Sequence, residues 1–169
     1  PARPYTLPPS QEKTNPEELS LQEFIEKARV SELPMEKFLL ENIRGFSPLL
    51  CREICFRAGI NEKSAGNRLT GTDLMRLENV LSELVDDLRQ NRFSPCIIYD
   101  RPGEEALPRD FHCIRLGIAA HAKYFEMMNY ALDTFYTDKV RIYRLSQKKA
   151  DLIKVLENNI DRCRKKHAI

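Results

Sequence analysis

The sequence predicts a mainly α fold, α+β overall, in which a helical domain is followed by a short β-hairpin and a long C-terminal helix. Three observations support this fold class. Apolar residues recur at intervals of three and four through residues 16–92, as they do on one face of a helix. Two short runs of strand-forming residues follow. Beyond Glu126 the chain contains no glycine or proline, so its composition does not interrupt a helix.

The chain divides into four predicted segments. Residues 1–15 form a linker or strap, because the prolines of this stretch remove backbone donors and restrict their neighbours. Residues 16–92 form the helical domain, residues 93–125 contain the β-hairpin, and residues 126–169 form the long helix, which begins a coiled coil. The chain starts with Pro1 rather than Met, so we expect a piece of a longer protein.

Two helices are predicted at the start of the helical domain. The first follows Asn15-Pro16, where Asn15 caps the helix and Pro16 occupies its first turn. The second runs from about Pro34 to Ile43. The residues expected to face the core are Leu19, Phe24, Ile25 and Ala28 in the first helix and Phe38, Leu39 and Ile43 in the second.

A tight turn separates the second helix from the third. Gly45 ends the second helix, and Ser47-Pro48 begins the third with a capping hydroxyl followed by proline. The third helix extends to about Ala58 before Gly59 stops it. It is expected to bury some combination of Leu50, Ile54 and Phe56.

The fourth helix, from about Thr72 to Gln90, has the clearest periodicity in the sequence. Its apolar residues lie opposite charged residues such as Arg76 and Glu83, as in an amphipathic helix with one buried face. The predicted buried face is formed by Leu74, Leu77, Val80, Leu81, Leu84, Val85 and Leu88.

Two strands are predicted after the fourth helix, at Cys96–Tyr99 and Phe111–Leu116. The segment Asp100–Gly103 and an acidic loop separate them, so they form a β-hairpin with an extended tip. Two strands are marginally stable by themselves in water, and we therefore expect them to join a larger sheet.

A helix of roughly 40 residues is predicted from about Glu126 to the end of the chain. Its apolar positions form a narrow seam with the seven-residue spacing of a coiled coil, which requires a partner helix. Lys149 and Asn159 fall on this seam and weaken it. The seam comprises Ala131, Phe135, Ile142, Leu145, Leu152, Leu156, Ile160 and Cys163.

Positive charge is concentrated at the C-terminal end of the chain. The whole chain has a net charge of +2, whereas residues 138–169 contain ten Lys or Arg and four Asp or Glu, a net charge of +6. This asymmetry favours a polyanionic partner, and the alternative is a basic helix face that contacts only solvent. The cations selected as candidate phosphate contacts are Lys148, Lys149, Arg162, Arg164, Lys165 and Lys166.

The turn at Arg44-Gly45-Phe46-Ser47 is a second candidate for nucleic-acid binding. It has the plan of a helix-hairpin-helix motif, although Ser47 stands where the motif usually has a second glycine. In such a turn the backbone amides and the N-terminus of the next helix bind one phosphate without reading bases, and Arg44 and Arg52 would add charge. The alternative is an ordinary connection between two helices.

No catalytic, metal or cofactor site is predicted, and we expect that the chain is not an enzyme. The five cysteines have neither C-x-x-C spacing nor nearby histidines, so we expect reduced thiols of the cytosol rather than zinc ligands. No nucleophile, His and acid arrangement is present, and His112 lies in an apolar strand. The remaining enzymatic alternative is a helix-hairpin-helix glycosylase, with Lys63 or Asp73 beyond the turn.

No apolar run is long enough for a membrane span.

Three stretches, in order along the chain, resemble the NFACT family. Tyr5–Pro16 is similar to the segment that leaves the family's first N-terminal subdomain. Gly45–Gly59 is similar to the family's inserted helix-hairpin-helix. Ala131–Tyr136, with Lys139, resembles the segment where the second N-terminal subdomain gives way to the coiled coil. The resemblance covers nearly the whole chain and assigns the predicted β-hairpin to the second N-terminal subdomain.

The resemblance implies a cytoplasmic ribosome quality-control factor that binds RNA. Such proteins bind obstructed large ribosomal subunits and tRNA, which is alanyl-tRNA in bacteria, and support C-terminal alanine tailing of stalled nascent chains. The ribosome performs the chemistry. The family's Asp-Arg pair for tRNA recruitment belongs to the first subdomain, so we do not transfer that role to Asp100-Arg101. The alternative function is that of a surface adhesin for fibronectin or fibrinogen, from which the family's older name derives.

Overall fold

A computed structural model of the chain describes residues 12–103 and 106–167, without the side chains of Lys166 and His167. The chain forms two compact units, residues 1–93 (unit 1) and residues 94–169 (unit 2). Most of the predicted strap, residues 1–11, lies outside the described residues.

The described residues of unit 1 fold into helices joined by short connections. The α-helices are α1 (Leu21–Val30), α2 (Met35–Asn42), α3 (Pro48–Ala58) and α4 (Gly71–Arg89), and short 3₁₀-helices lie at Pro16–Glu18 and Gly66–Arg68. The first predicted helix is therefore placed too early. Asn15 Oδ1 accepts a hydrogen bond from Glu17 N at 3.3 Å and caps only one turn. Leu19 and Ser20 then adopt extended backbone conformations before α1 begins.

The core of unit 1 is formed by the facing sides of its helices. The rings of Phe24 in α1 and Phe38 in α2 have centroids 5.1 Å apart. Of the expected core residues of α3, Leu50 and Ile54 are buried, whereas Phe56 is 57% exposed. Phe56 is exposed because the buried face of α3 follows the three- and four-residue spacing of Cys51, Ile54, Cys55 and Ala58.

A close backbone approach joins α1 to the second 3₁₀-helix. Asn67 N donates a hydrogen bond to Ser31 O at 2.9 Å. A Cβ atom on Gly66 would lie 1.9 Å from the carbonyl oxygen of Ala28, so a side chain at this position would force the two segments apart.

Unit 2 contains an antiparallel sheet of strands β1 (Cys96–Tyr99), β2 (Pro108–His112) and β3 (Ala122–Tyr124), with β1 central in the order β2-β1-β3. The predicted β-hairpin is formed by β1 and β2, but β2 begins at Pro108 rather than Phe111. β2 ends at His112, where the chain turns back and Ile114 N donates a hydrogen bond to His112 Nδ1 at 3.3 Å. β3 was not predicted, because a three-residue strand is too short to show alternation.

α5 (Met128–His167) follows the sheet as one helix of 40 residues, in agreement with the prediction. Ala131 and Phe135 form a buried cluster with Ile97 of β1, and Phe135 contacts Phe111 edge to face at 4.8 Å. Farther along α5 the apolar side chains are exposed, among them Leu145, Leu152, Leu156 and Ile160.

The two units confirm the mainly α, α+β fold class. Within residues 12–103 and 106–167, no helix combines the length and apolarity that crossing a membrane requires.

Candidate nucleic-acid interface

The turn between α2 and α3 has a backbone conformation that favours glycine. Gly45 has a φ of 80°, in the left-handed region, and reverses the direction of the chain. Ser47 Oγ accepts a hydrogen bond from Leu50 N at 3.2 Å, and Pro48 occupies the first position of α3. Phe46 is buried and attaches the turn to the core of unit 1.

Part of this turn is already engaged by protein groups. Arg44 N donates to Thr14 O at 2.9 Å, so this amide is not available to a phosphate. The Arg52 guanidinium forms an ion pair with Glu36, with Nε and Oε1 3.7 Å apart. The Arg44 side chain is exposed. The turn therefore offers an anion fewer groups than the helix-hairpin-helix plan implies.

Lys13 is a cation of this region that the sequence analysis did not select. Thr14 pairs with Ile43 in a short parallel bridge, so its neighbour Lys13 lies beside the turn. Burial raises the pKa of the Cys51 thiol to about 12, and the charge of Lys13 partly opposes that effect. Nothing in the local sequence indicates this placement, because Thr14 and Ile43 meet only in the folded chain.

The middle part of α5 carries a basic segment, which we define as residues 139–150. It contains no Asp or Glu, and its five cations are all exposed. They are Lys139, Arg141, Arg144, Lys148 and Lys149. Asp138, just before the segment, forms an ion pair with Arg141, with Oδ1 and Nη2 3.2 Å apart. The sequence analysis selected only Lys148 and Lys149, although the absence of acidic residues is readable in the sequence.

The remaining selected cations lie near the C-terminal end of α5. Arg162, Arg164 and Lys165 are exposed, and the side chain of Lys166 is outside the described part of the chain. About 20 Å of helix separates Lys149 from Arg162, at 1.5 Å per residue. Three acidic residues lie between them, so the two basic stretches are separate. Both stretches belong to unit 2, whereas the turn belongs to unit 1.

Two of the residues considered for catalysis, Asp73 and His112, have structural partners. Asp73 forms the capping box of α4, because its carboxylate accepts from Thr70 N at 2.9 Å and Thr70 Oγ1 accepts from Asp73 N at 3.2 Å. The hydrogen bonds with Thr70, aided by Arg76, hold the pKa of Asp73 below its ordinary value. His112 Nδ1 accepts from Ile114 N. Among the described residues, no three His, Cys, Asp or Glu side chains lie close enough together to hold a metal ion.

Comparison with known proteins gives a family match over the whole chain. A family model described as NFACT N-terminal and middle domains matches residues 1–169. The chain is also 29% identical over 169 residues to the Rqc2 homolog RqcH of Bacillus subtilis (strain 168). That alignment covers 99% of this chain and 26% of the relative, so the chain spans about a quarter of the length of this curated protein.

A solved structure shares the fold. The crystal structure of the fibrinogen binding protein from Staphylococcus aureus superimposes with a TM-score of 0.54 and 24% sequence identity. The match covers 78% of this chain and 44% of that chain. At this identity the likeness concerns the fold alone.

Proposed function

Because this chain belongs to the NFACT family, we propose that it is part of a ribosome-associated quality-control protein and binds RNA rather than catalysing a reaction. The similarity to the Rqc2 homolog RqcH supports this function. In the proposal, the intact protein acts in the cytoplasm on obstructed large ribosomal subunits, binds tRNA and supports C-terminal alanine tailing. The tRNA is alanyl-tRNA, and the ribosome performs the chemistry.

The basic segment of α5 is the observation that carries the RNA-binding proposal. Its five exposed cations, from Lys139 to Lys149, are distributed over about 15 Å of helix, at 1.5 Å per residue, without an acidic residue among them. Among the described residues, only Arg141 of these five has an acidic partner, Asp138, with Nη2 and Oδ1 3.2 Å apart. Lys and Arg side chains presented in this way neutralise backbone phosphates and release counterions, which supplies affinity without base recognition.

The turn of unit 1 makes a smaller contribution in this proposal. Arg44 is exposed, and Lys13 lies next to Thr14, which pairs with Ile43 before the turn, so two cations belong to this region. Arg52 contributes less, because its guanidinium is paired with Glu36. We therefore expect charge changes in the basic segment to affect RNA affinity more than changes in the turn.

The test is the salt dependence of binding to a tRNA transcript, measured by fluorescence anisotropy. Reversing Arg144, Lys148 and Lys149 to Glu should lower the slope of log affinity against log salt by about 2 to 3, since each neutralised phosphate contributes roughly 0.7 to 0.9. The control reverses Lys27, Lys63 and Arg68, three exposed cations of unit 1, which changes the net charge equally. Circular dichroism should show that both variants keep their helices.

Two results would contradict the proposal. One is an equal loss of affinity and slope in both variants, because that would show only an effect of net charge. The other is unchanged binding in both variants, even when the distal cations Arg162, Arg164, Lys165 and Lys166 are also reversed. In that case the basic helix faces would contact only solvent.

A second candidate function is that of an adhesin. The observation in its favour is the fold that this chain shares with the fibrinogen binding protein of Staphylococcus aureus. Immobilised fibrinogen and fibronectin provide the test. Tight binding to either of them, together with undetectable tRNA binding at low salt, would replace the RNA-binding proposal.

A further inference from the structure

A groove of about 540 Å³ lies between the start of β2 and the basic segment of α5, entirely within unit 2. Leu107 and Pro108 line it on the side of the sheet, and Val140 lines it on the side of the helix. Arg109 and Tyr143 are also part of its lining. A space of this size, with apolar walls and a few polar groups, is typical of sites that hold a small organic group.

Tyr143 presents an uncovered aromatic ring at this groove. Its side chain is 63% exposed, although tyrosine is a large and partly apolar residue. The hydroxyl group accepts a hydrogen bond from Gln147 Nε2 at 2.8 Å, which limits the positions that the ring adopts. The exposed ring of Tyr143 is therefore available as an aromatic surface at the groove.

Two cations accompany this ring. Lys139 also lines the groove, and its ammonium nitrogen lies 4.5 Å from the ring centroid of Phe135, a cation–π contact that orients it. The Arg109 side chain is 65% exposed, and its Nη2 lies 3.6 Å from Asp100 Oδ2. Asp100 is held mainly by a hydrogen bond from Leu107 N, at 2.8 Å from Oδ1. Because a guanidinium has five N–H donors, one distant carboxylate leaves Arg109 able to bind a second anion.

We propose that this groove holds an unpaired nucleobase of RNA, stacked on Tyr143, with the adjacent backbone phosphates bound by Lys139 and Arg109. The ligand must combine a flat apolar face with negative charge, because the groove combines an aromatic ring and aliphatic walls with two cations. A nucleotide in a single strand has this combination, and base stacking on aromatic side chains is tolerant of sequence. A base within a duplex is already stacked and does not expose its face.

The inference deepens the proposed function and rests on it, since it names unpaired nucleotides as the class of RNA that unit 2 prefers. An apolar peptide is the competing occupant. The two cations at the groove and the acid-free basic segment beside it favour a polyanion instead.

The experiment compares three RNA probes of the same length with the 169-residue chain. The probes are a single-stranded 12-mer, the same backbone with abasic sites, and the 12-mer in a duplex. Wild-type protein should bind the single strand more tightly than the abasic strand by about 5- to 150-fold, the range expected for stacking one base. Tyr143→Ala should abolish that difference, and Tyr143→Phe should retain it because it keeps the ring.

Tyr130→Ala is the matched control, because Tyr130 is 54% exposed on the same helix and does not line the groove. Its affinity for all three probes should equal that of the wild type. If Tyr143→Ala loses no more affinity than Tyr130→Ala, or if wild type binds abasic and base-bearing strands equally, the groove holds no base. Either result overturns this inference and leaves RNA binding through charge intact. Failure to bind any probe at low salt would overturn both proposals.

Discussion

Gly45 shows how a single residue determines the geometry of the turn between α2 and α3. Its φ of 80° lies in the region where a Cβ atom is strained. A Cβ at this position would meet no atom within 4 Å, so the strain of a substitution would be conformational rather than steric. Gly66 is the opposite case, because there the obstacle is the carbonyl oxygen of Ala28.

Gly45→Val should therefore lower the free energy of unfolding by at least about 1 to 2 kcal/mol, the usual cost of a left-handed backbone for a residue with a side chain. Gly71→Val is the control, since Gly71 has equally open space and no positive φ. Urea denaturation of both variants measures the difference. Equal stabilities would show that the turn relaxes to another conformation at no cost.

α4 shows how periodicity and capping together define an element. Its capping box at Thr70 and Asp73 closes the N-terminus. The predicted apolar face is buried at Leu74, Leu77, Leu81, Leu84 and Val85, and Val80 and Leu88 are half-buried at its edges. The prediction for α4 agrees with the structure because the amphipathic pattern and the N-terminal cap both depend on residues only a few positions apart in the chain.

Leu81→Ala should destabilise unit 1 by about 2 to 5 kcal/mol, because it leaves a cavity in a fully buried position. Met75→Ala, in the same helix at a position 55% exposed, should have a much smaller effect. Chemical denaturation of each variant provides the values. A loss below about half a kcal/mol at Leu81 would contradict the assigned packing, since such values are typical of surface positions.

α5 differs from α4 because most of its length has no tertiary contact within the described residues. The sheet covers Ala131 and Phe135, whereas Leu152, Leu156 and Ile160 are exposed. A helix without a packed face is marginally stable in water. Lys149 and Asn159 also interrupt the seam on which a partner helix would pack.

Backbone amides beyond about Leu152 should therefore exchange with deuterium faster than those of α4, when the chain is a dilute monomer. Hydrogen exchange followed by mass spectrometry distinguishes the two helices. Raising the protein concentration is the control, because slower exchange at high concentration would indicate pairing with a second copy. Exchange in dilute monomer as slow as in α4 would contradict this expectation.

At the scale of the whole molecule, the burial of the cysteines shows which parts of each unit are closely packed. No disulfide bond joins the five cysteines, all of which lie in the described part of the chain: Cys51 and Cys55 are buried in unit 1, Cys96 is buried in unit 2, Cys113 is partly buried and Cys163 is exposed. Burial raises the pKa of the Cys51 and Cys55 thiols to about 12. These two thiols therefore remain protonated and unreactive at neutral pH, because the thiolate is the nucleophile.

Alkylation of the native protein near neutral pH should modify Cys163 first and leave Cys51 and Cys55 unmodified until denaturant is added. Mass spectrometry of peptides after timed alkylation measures the order. Rapid modification of Cys51 without denaturant would show that the reagent reaches the buried face of α3 in the native protein. A disulfide found in the native protein would contradict the expectation of reduced thiols.

The charge distribution also belongs to this scale. The net charge of +6 between residues 138 and 169 is readable from the sequence, and so is its division by three acidic residues into a basic segment and a distal stretch. The helix determines the distance between the two stretches. Lys139, Arg141 and Arg144 were not predicted as phosphate contacts, although they belong to the same region of positive charge. The groove at Tyr143 is not readable from the sequence, because β2 supplies one side and α5 the other.

The sequence by itself determined the features that depend on neighbours along the chain. These are the periodic face of α4, the cap at Ser47-Pro48, the glycine at position 45 and the uninterrupted length of α5. Their physical basis is local, since helix periodicity, capping hydrogen bonds and backbone strain involve residues only a few positions apart.

Only the tertiary structure decided the features that join distant parts of each unit. Arg44 N donates a hydrogen bond to Thr14 O, and Arg52 forms an ion pair with Glu36. β3 pairs with β1 and completes the sheet. The tertiary structure also decided which apolar residues are covered. Phe135 is buried, whereas Phe56 and Tyr143 are exposed. These outcomes depend on which surfaces meet when the chain folds, and a pattern within one segment contains no information about the partner that covers it.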